Sequence, residues 1–232
     1  MRTGVASRSW RMRQWPNDPT VAHLVFVDHH EVPSSADIDA AIAHASGRGA
    51  RCIRTSALFP RATEPVLDAG FTPIDRLALL ERNLADTDAL PEMSNPTRAM
   101  SVWQHRAVAQ VDQVAFGPLW GNDAISIREI RRATPDHRAR VVRRDAGIVG
   151  FAISGAAGQH GYLQRLAVDP AYRREGIAAT LVADALNWMH GSGLRSVLVN
   201  TARTNGPALT LYSSLGFELL DDELVIAELQ LH

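Results

Sequence analysis

Leu166-Ala167-Val168-Asp169-Pro170, then Arg173-Arg174-Glu175-Gly176-Ile177-Ala178, is the stretch on which the fold turns. An apolar run from Tyr162 leads into it and a helical run leaves it. Farther on stand a second apolar run, Val197-Leu198-Val199, then Asn205, and then Ala208-Leu209-Thr210-Leu211-Tyr212-Ser213-Ser214-Leu215-Gly216-Phe217. The spacing predicts strand, turn, helix, strand, short helix. A glycine and a small residue where a strand becomes a helix leave backbone N–H groups unobstructed at the helix N-terminus. Together with the helix dipole they make a seat for phosphate oxygens. Neither GxGxxG nor GxxxxGK[ST] stands here, which excludes a dinucleotide-fold or P-loop reading.

This order and spacing resembles the GNAT superfamily of acyl-CoA N-acyltransferases. The likeness covers residues 97–232 and is densest from Tyr162 to Phe217. The superfamily's R/Q-x-x-G-x-G/A signature stands as Arg173-x-x-Gly176-x-Ala178. It is joined to L-x-V-x-P ending at Pro170 and to N-x-x-A-L-x-L-Y-x-x-L-G-F beginning at Asn205. The resemblance implies an α/β fold with a mixed sheet, acetyl-CoA as co-substrate and no metal.

Composition narrows the remaining classes. The chain has 232 residues, enough for one large domain or two small ones, and 46% apolar with 21% charged residues is ordinary for a globular protein. A net charge of −1 gives no electrostatic case for nucleic acid or an anionic membrane. All 24 basic residues are Arg, so no Lys nucleophile or Schiff-base site exists. The single Cys52 excludes an intramolecular disulfide and a multi-Cys metal site, and its apolar surroundings predict a buried side chain. Met1 to Asn17 is Arg-rich without an apolar core, and no apolar run reaches spanning length. A cytoplasmic protein is expected.

The polar, proline-punctuated segment Asp86 to Pro96 separates two patterned regions. Residues 1–90 form a first lobe, 91–96 a linker and 97–232 the second lobe. In the first, Leu24 to Val27 predicts a strand, Ile38 to Ala45 a helix and Arg51 to Arg54 a strand. A short helix ending at Gly70 and a closing strand at Leu77 to Leu80 follow. Gly47-x-Gly49-x-Arg51 echoes Gly191-x-Gly193-x-Arg195 at an offset of 144, and Gly70-Phe71 echoes Gly216-Phe217 at 146. The first lobe thus reads as a truncated copy of the second, as in tandem GNAT proteins. It lacks the Arg-x-x-Gly-x-Ala loop, because His29-His30-Glu31-Val32-Pro33 follows Asp28. Thr63 precedes Pro65 where Asn205 precedes Pro207, and Val66 stands opposite Tyr212. Such a lobe is structural. His29-His30-Glu31 is a poor metal set, since adjacent His side chains rarely converge on one ion.

In the second lobe Ala99 to Trp103 predicts a strand, His105 to Ala115 an amphipathic helix and Ile125 to Arg132 another. Phe116-Gly117-Pro118-Leu119-Trp120 interrupts between the helices. Arg140 to Arg143 and Ile148 to Ile153 flank Asp145-Ala146-Gly147, a hairpin signal. Ile177, Leu181, Ala185 and Trp188 line one stripe of the main helix. Two strands, around Phe217 to Leu219 and Leu224 to Ala227, end the chain.

Carried onto these positions, the resemblance implies a cofactor site at Leu166, Ala167, Val168, Arg173, Arg174, Glu175, Gly176, Ile177, Ala178, Asn205 and Tyr212. Backbone N–H groups near Leu166 and Val168 would meet the pantetheine arm and the acetyl oxygen, as preorganised oxyanion donors. Tyr212 would be the general acid that protonates the departing sulfur, or a core aromatic at helical spacing from Leu209 and Leu215. Asn205 would contact the cofactor or cap the helix. Asn200 stands twelve residues before Tyr212, where N-terminal acetyltransferases of the ribosomal-protein type have a Glu. It cannot accept a proton at neutral pH. His160, His105, Asp112 and Asp123 are substitute bases. Phe116, Trp120 and Gln164 would shape the acceptor mouth, with a hydrophobic plug as the other reading of Phe116 to Trp120.

The expected activity is acetyl transfer from acetyl-CoA to a primary amine, on a peptide or protein N-terminus or on a small molecule. A non-catalytic acyl-CoA-binding module is the alternative from another class. A homodimer is compatible with either. Two active sites are disfavoured by the first lobe's missing loop.

Overall fold

The computed structural model describes residues 9–27, 31–84, 90–145 and 147–231. His29, His30, part of the Asp86–Pro96 segment and Ala146 lie outside them. In chain order the elements begin β1 (Trp10–Trp15), β2 (Asp18–Phe26), α1 (Ser35–Gly47), β3 (Cys52–Thr55), α2 (Pro60–Asp68) and β4 (Thr72–Asn83). They continue with β5 (Arg98–Ala99), α3 (His105–Trp120), α4 (Ala124–Arg131), β6 (Asp136–Arg144), β7 (Gly147–Ala157) and β8 (His160–Val168). The chain closes with α5 (Ile177–Gly191), β9 (Ser196–Ala202), α6 (Gly206–Ser214) and β10 (Glu218–Gln230). The fold is α/β with a mixed sheet, as expected.

Two compact units are present: Met1–Ala78 with Asp221–His232, and Leu79–Leu220. These limits differ from a division at residues 90 and 97, for they fall inside β4 and inside β10. In the first unit the strand order is β1-β2-β3-β10-β4. β2 and β3 are parallel, β3 and β10 antiparallel. Its core joins Trp10, Leu24, Phe26, Ile38, Ile53, Val66, Phe71 and Val225. Ser34 starts α1 by accepting from the Asp37 N–H at 3.2 Å, and Pro60 starts α2, where a missing N–H costs nothing. Cys52 is buried, and burial raises its thiol pKa.

In the second unit the end of β4 lies beside β9, followed by β8, β7, β6 and β5. Leu84 N–H donates to the Arg195 carbonyl at 2.7 Å. The expected hairpin is formed by β6 and β7, antiparallel along their lengths. A core of Val108, Val111, Ile127, Val141, Phe151, Ile153 and Ala167 packs α3 and α4 onto this part of the sheet. On α5, Ile177, Leu181 and Ala185 are buried as the stripe required, while Trp188 is only half-buried and Met189 takes the inner place.

Two expectations need correction, and one strand was not foreseen. The strand at Ala99 to Trp103 is confined to Arg98–Ala99, because Ser101 and Gln104 form a reciprocal capping box that turns Val102–Gln104 into a 3-10 turn. The two closing strands are one, β10, running through the exposed pair Asp221-Asp222. β1 was not anticipated, since Arg11 and Arg13 hide the alternation that buries Trp10 against β2.

Candidate active site

β8 is the backbone of the site. It pairs with β9 in parallel at His160↔Ser196, Gly161↔Val197 and Tyr162↔Leu198, and there the pairing ends, although both strands continue. On its other side β8 stays paired with β7 up to Gly150↔Val168, with Gln164 as the extra residue of a bulge between Leu163 and Arg165. Asp169 N–H donates to the Val149 carbonyl of β7 at 2.8 Å. Strand alternation therefore turns Ala167 and Arg165 toward β7 and aims the backbone groups of Leu166 and Val168 at the side that β9 has left. Those are the two N–H groups that the sequence singled out.

The loop beyond β8 is held in an unusual backbone conformation. Asp169 accepts from Ala171 N–H at 2.9 Å and folds Pro170–Tyr172 into a 3-10 turn. Arg174 then takes φ +68°, the only positive φ at a non-glycine among the described residues, and Gly176 takes φ +73°. A side chain held in this region costs about 1–3 kcal/mol and points to function. Successive left-handed positions turn backbone N–H groups inward, the concavity that holds phosphates. The first turn of α5 adds its own donors. α1, α4 and α6 have Ser34, Asp123 and Asn205 on their first N–H groups, but α5 has no side-chain cap. Ile177 and Ala178 thus stand at an open helix end. Arg173, Arg174 and Glu175 are exposed.

Gly176 has reasons of its own. Besides its left-handed φ, a Cβ there would lie 3.0 Å from Ser94 Oγ. Ser94 and Asn95 belong to the segment read as a linker, yet they brace this loop. Asn95 Nδ2 donates to the Glu175 carbonyl at 3.1 Å, and Asn95 N–H to Thr180 Oγ1 at 3.2 Å. Arg144 Nη2 in turn donates to Asn95 Oδ1 at 2.7 Å.

Tyr212 is buried on α6, its ring 5.6 Å from that of Phe217. Burial pushes its phenol far above the usual range, with the Arg165 charge pulling the other way, so the hydroxyl keeps its proton at neutral pH. Asn205 caps α6 through Oδ1 on Ala208 N–H at 3.3 Å and donates from Nδ2 to Thr201 Oγ1 at 3.1 Å, which favours the capping role. Asn200 is exposed on β9.

Three of the four substitute bases are otherwise engaged. Asp112 is fully buried and bound by Arg165 Nε at 2.6 Å, with Asn122 N–H also at 2.6 Å. Asp123 caps α4 through Ser126 N–H at 2.7 Å. His160 bonds Ser196 Oγ at 2.9 Å, at the end of β8 away from Leu166 and Val168. His105, at the start of α3, has a pKa lowered by burial and a buried Nε2 without a partner among the described residues.

Phe116 and Trp120 come together around a residue the sequence reading missed. α3 is broken at Gly117, φ +75°, before Pro118. Under this elbow Arg165 lays its guanidinium 3.6 Å from the Phe116 ring centre and donates from Nη2 to the Trp120 carbonyl at 2.8 Å. Its signal was an Arg inside an apolar strand facing an Asp on the apolar side of a helix. Gln164 stands apart from that elbow, its Nε2 3.5 Å from Thr134 Oγ1 and its Oε1 buried without a partner among the described residues. No helix of the described residues is long and apolar enough to cross a membrane.

A strand pair that parts beside an uncapped helix start is the arrangement against which the comparison with known proteins is set. Residues 105–217 match the acetyltransferase (GNAT) family. It is 29% identical over 172 residues to a mycothiol acetyltransferase of Brachybacterium faecium, covering 66% of this chain and 51% of that protein. It is 33% identical over 70 residues to a ribosomal protein bS18-alanine N-acetyltransferase of Haemophilus ducreyi, covering 30% of this chain and 48% of that one. The chain thus spans about half the length of these curated relatives. A tandem GNAT protein from the clavulanic acid biosynthesis pathway shares the fold, with a TM-score of 0.65 at 15% identity over 95% of this chain and 78% of that one.

Proposed function

We propose that this chain is an N-acetyltransferase that moves the acetyl group of acetyl-CoA to a primary amine, with one active site, in the second unit. The observation that carries this is the end of β8–β9 pairing at Tyr162↔Leu198, just before Leu166 and Val168. The residues fit the co-substrate: Arg173 to Ala178 would take the pyrophosphate, while the Leu166 and Val168 N–H groups would take the pantetheine arm and the thioester oxygen. The amine lone pair forms the new C–N bond, the C–S bond breaks, and the thiolate takes the Tyr212 proton. The amine's surplus proton leaves to water, which the exposed Asn200 can orient, and a proton from water restores the Tyr212 phenol before the next turnover. Polarisation of the carbonyl by fixed N–H donors is the larger contribution, since each such donor is worth about 10²–10³ in rate.

The acceptor we favour is a peptide or protein N-terminus, because the Phe116–Trp120 elbow and the Leu211-Tyr212 pair resemble the ribosomal-protein group. A small-molecule amine is the second reading, supported by the longer match to the mycothiol enzyme. Residues 1–90 are proposed as structural, without a second co-substrate site. Calorimetric titration should give one acetyl-CoA per chain, and a steady-state thiol-release assay should find turnover with a panel of amines. Two sites per chain, or none, would overturn the single-site assignment. Binding without turnover of any amine would leave a regulatory acyl-CoA module.

A further inference from the structure

We propose that Arg165 is the acceptor-side specificity residue, fixing the α3 elbow and offering its remaining N–H donors to a carbonyl oxygen next to the acceptor's amine. The inference rests on the N-acetyltransferase reading and deepens it. In sequence Arg165 adjoins Leu166, which lies beyond the last β8–β9 pair, and follows the Gln164 bulge. Its guanidinium is held on three sides: Nε on Asp112 Oδ2 at 2.6 Å, Nη2 on Asp112 Oδ1 and on the Trp120 carbonyl, both at 2.8 Å, and the Phe116 ring beneath. Nη1 makes no hydrogen bond among the described residues, and the side chain is 19% exposed. One end of a rigid donor fork is therefore fixed, and the other carries no hydrogen bond among the described residues.

Anchoring the elbow does not require this charge, since a buried ion pair is often matched by well-packed apolar residues. Asp112 also has Asn122 N–H and Nδ2, at 2.6 and 3.2 Å. What a guanidinium adds is planar donation and a fixed positive charge. Donation selects an acceptor with an oxygen near the nitrogen, as every peptide N-terminus has in its first carbonyl and an alkylamine or polyamine lacks. The charge disfavours an ammonium close by and so favours the neutral, nucleophilic amine. That helps a site in which Asp112, Asp123 and His160 are held by other partners. The influence of Arg165 on Tyr212 is consistent with its charge reaching the reacting atoms.

The test uses the full chain with saturating acetyl-CoA and two acceptors, a tripeptide with a free N-terminus and butylamine. R165K keeps the charge facing Asp112 without the fork, and the double variant D112N/R165M removes both charges together, so neither leaves a buried ion alone. Both variants should raise the tripeptide KM about tenfold or more, the scale of a lost charged hydrogen bond. Their acetyl-CoA KM should stay unchanged, and R165K should lose clearly less kcat/KM on butylamine than on the tripeptide. Equal losses on both acceptors, or none, would reduce Arg165 to an anchor and overturn the proposal. Calorimetry of the N-acetyl tripeptide with CoA present separates the two readings. If wild type acetylates no amine, the enzymatic reading fails by itself. In that case tight product binding weakened by R165K still supports the Arg165 assignment, whereas equal or absent binding overturns it.

Discussion

The guanidinium of Arg82, near the end of β4, donates to the carbonyl of Leu215, the residue that closes the helix carrying Tyr212. Arg82 is buried, and a Cβ on Gly216 would stand 3.4 Å from its Cζ. A residue of the first ninety thus caps the C-terminal end of the candidate catalytic helix.

A chain beginning at Ser94 should therefore aggregate, although it holds every proposed site residue. It loses Arg82 and the strand Leu79–Asn83 beside β9, and it leaves the Asp221–Gln230 part of β10 without β3. An exposed apolar edge of that length is seldom tolerated. In the full chain Arg82→Met should lower Tm by several degrees, since an orphaned buried carbonyl costs about 1–3 kcal/mol. Size-exclusion chromatography checks the first outcome, and a stable, fully active monomer from Ser94 onward would refute it.

Gly176→Glu should abolish acetyl-CoA binding while the protein stays folded. The substitution puts a side chain at φ +73° and 3.0 Å from Ser94 Oγ, and a carboxylate where the pyrophosphate would sit. A negative charge at a helix start is not itself destabilising, but a side chain at this φ costs about 1–3 kcal/mol, so Tm should fall by a few degrees while calorimetry reports the loss of binding. Affinity within threefold of wild type would remove the loop from the cofactor site.

Tyr212→Phe should leave acetyl-CoA affinity nearly unchanged and lower turnover by about 10²–10⁴-fold, the usual worth of general acid assistance. The phenol is held protonated by burial, so wild-type activity should show no loss from its ionisation through pH 9. Turnover within a factor of about two of wild type would make Tyr212 a packing residue.

His23 should make the first unit acid-sensitive. Burial, aided by Arg13 and Arg54, depresses its pKa to about 3, and its Nδ1 accepts from Arg13 Nε at 3.1 Å. The unfolded imidazole titrates near ~6.5, so on acidification the unfolded chain takes up the proton first. The stability contributed by the neutral ring is full above about pH 6.5 and declines by up to about 1.4 kcal/mol per pH unit toward pH 3. Denaturant unfolding at pH 7.5 and pH 5 should show a smaller drop in His23→Gln than in wild type. Identical drops would mean that His23 is not the group responsible.

Much of this was legible before any tertiary structure. Glycine at 176, the apolar run to Val168 and the Tyr212 helix are local signals, because a backbone turn and a helical stripe are properties of neighbouring residues. The capping box at Ser101 was legible too and was passed over in favour of an apolar run. Asp112 could not be judged locally: an Asp on a helix is a free base or a buried counter-ion according to what lies opposite, and that residue, Arg165, is fifty-three positions away. Asp123 and Asn205 could be read as caps, but only the distances to Ser126 and Ala208 decide it.

The sequence alone determined the likeness to the GNAT family, the order of strand, glycine loop and helix, and the residue types available for chemistry, since each depends on short-range pattern. Tertiary structure alone decided where β8 leaves β9, that Ser94 and Asn95 brace the loop instead of merely linking lobes, and that β4 and β10 each contribute to both compact units. Strand pairing and buried ion pairs are contacts between distant residues. Their free energy depends on which partners burial brings together, and no local pattern records that.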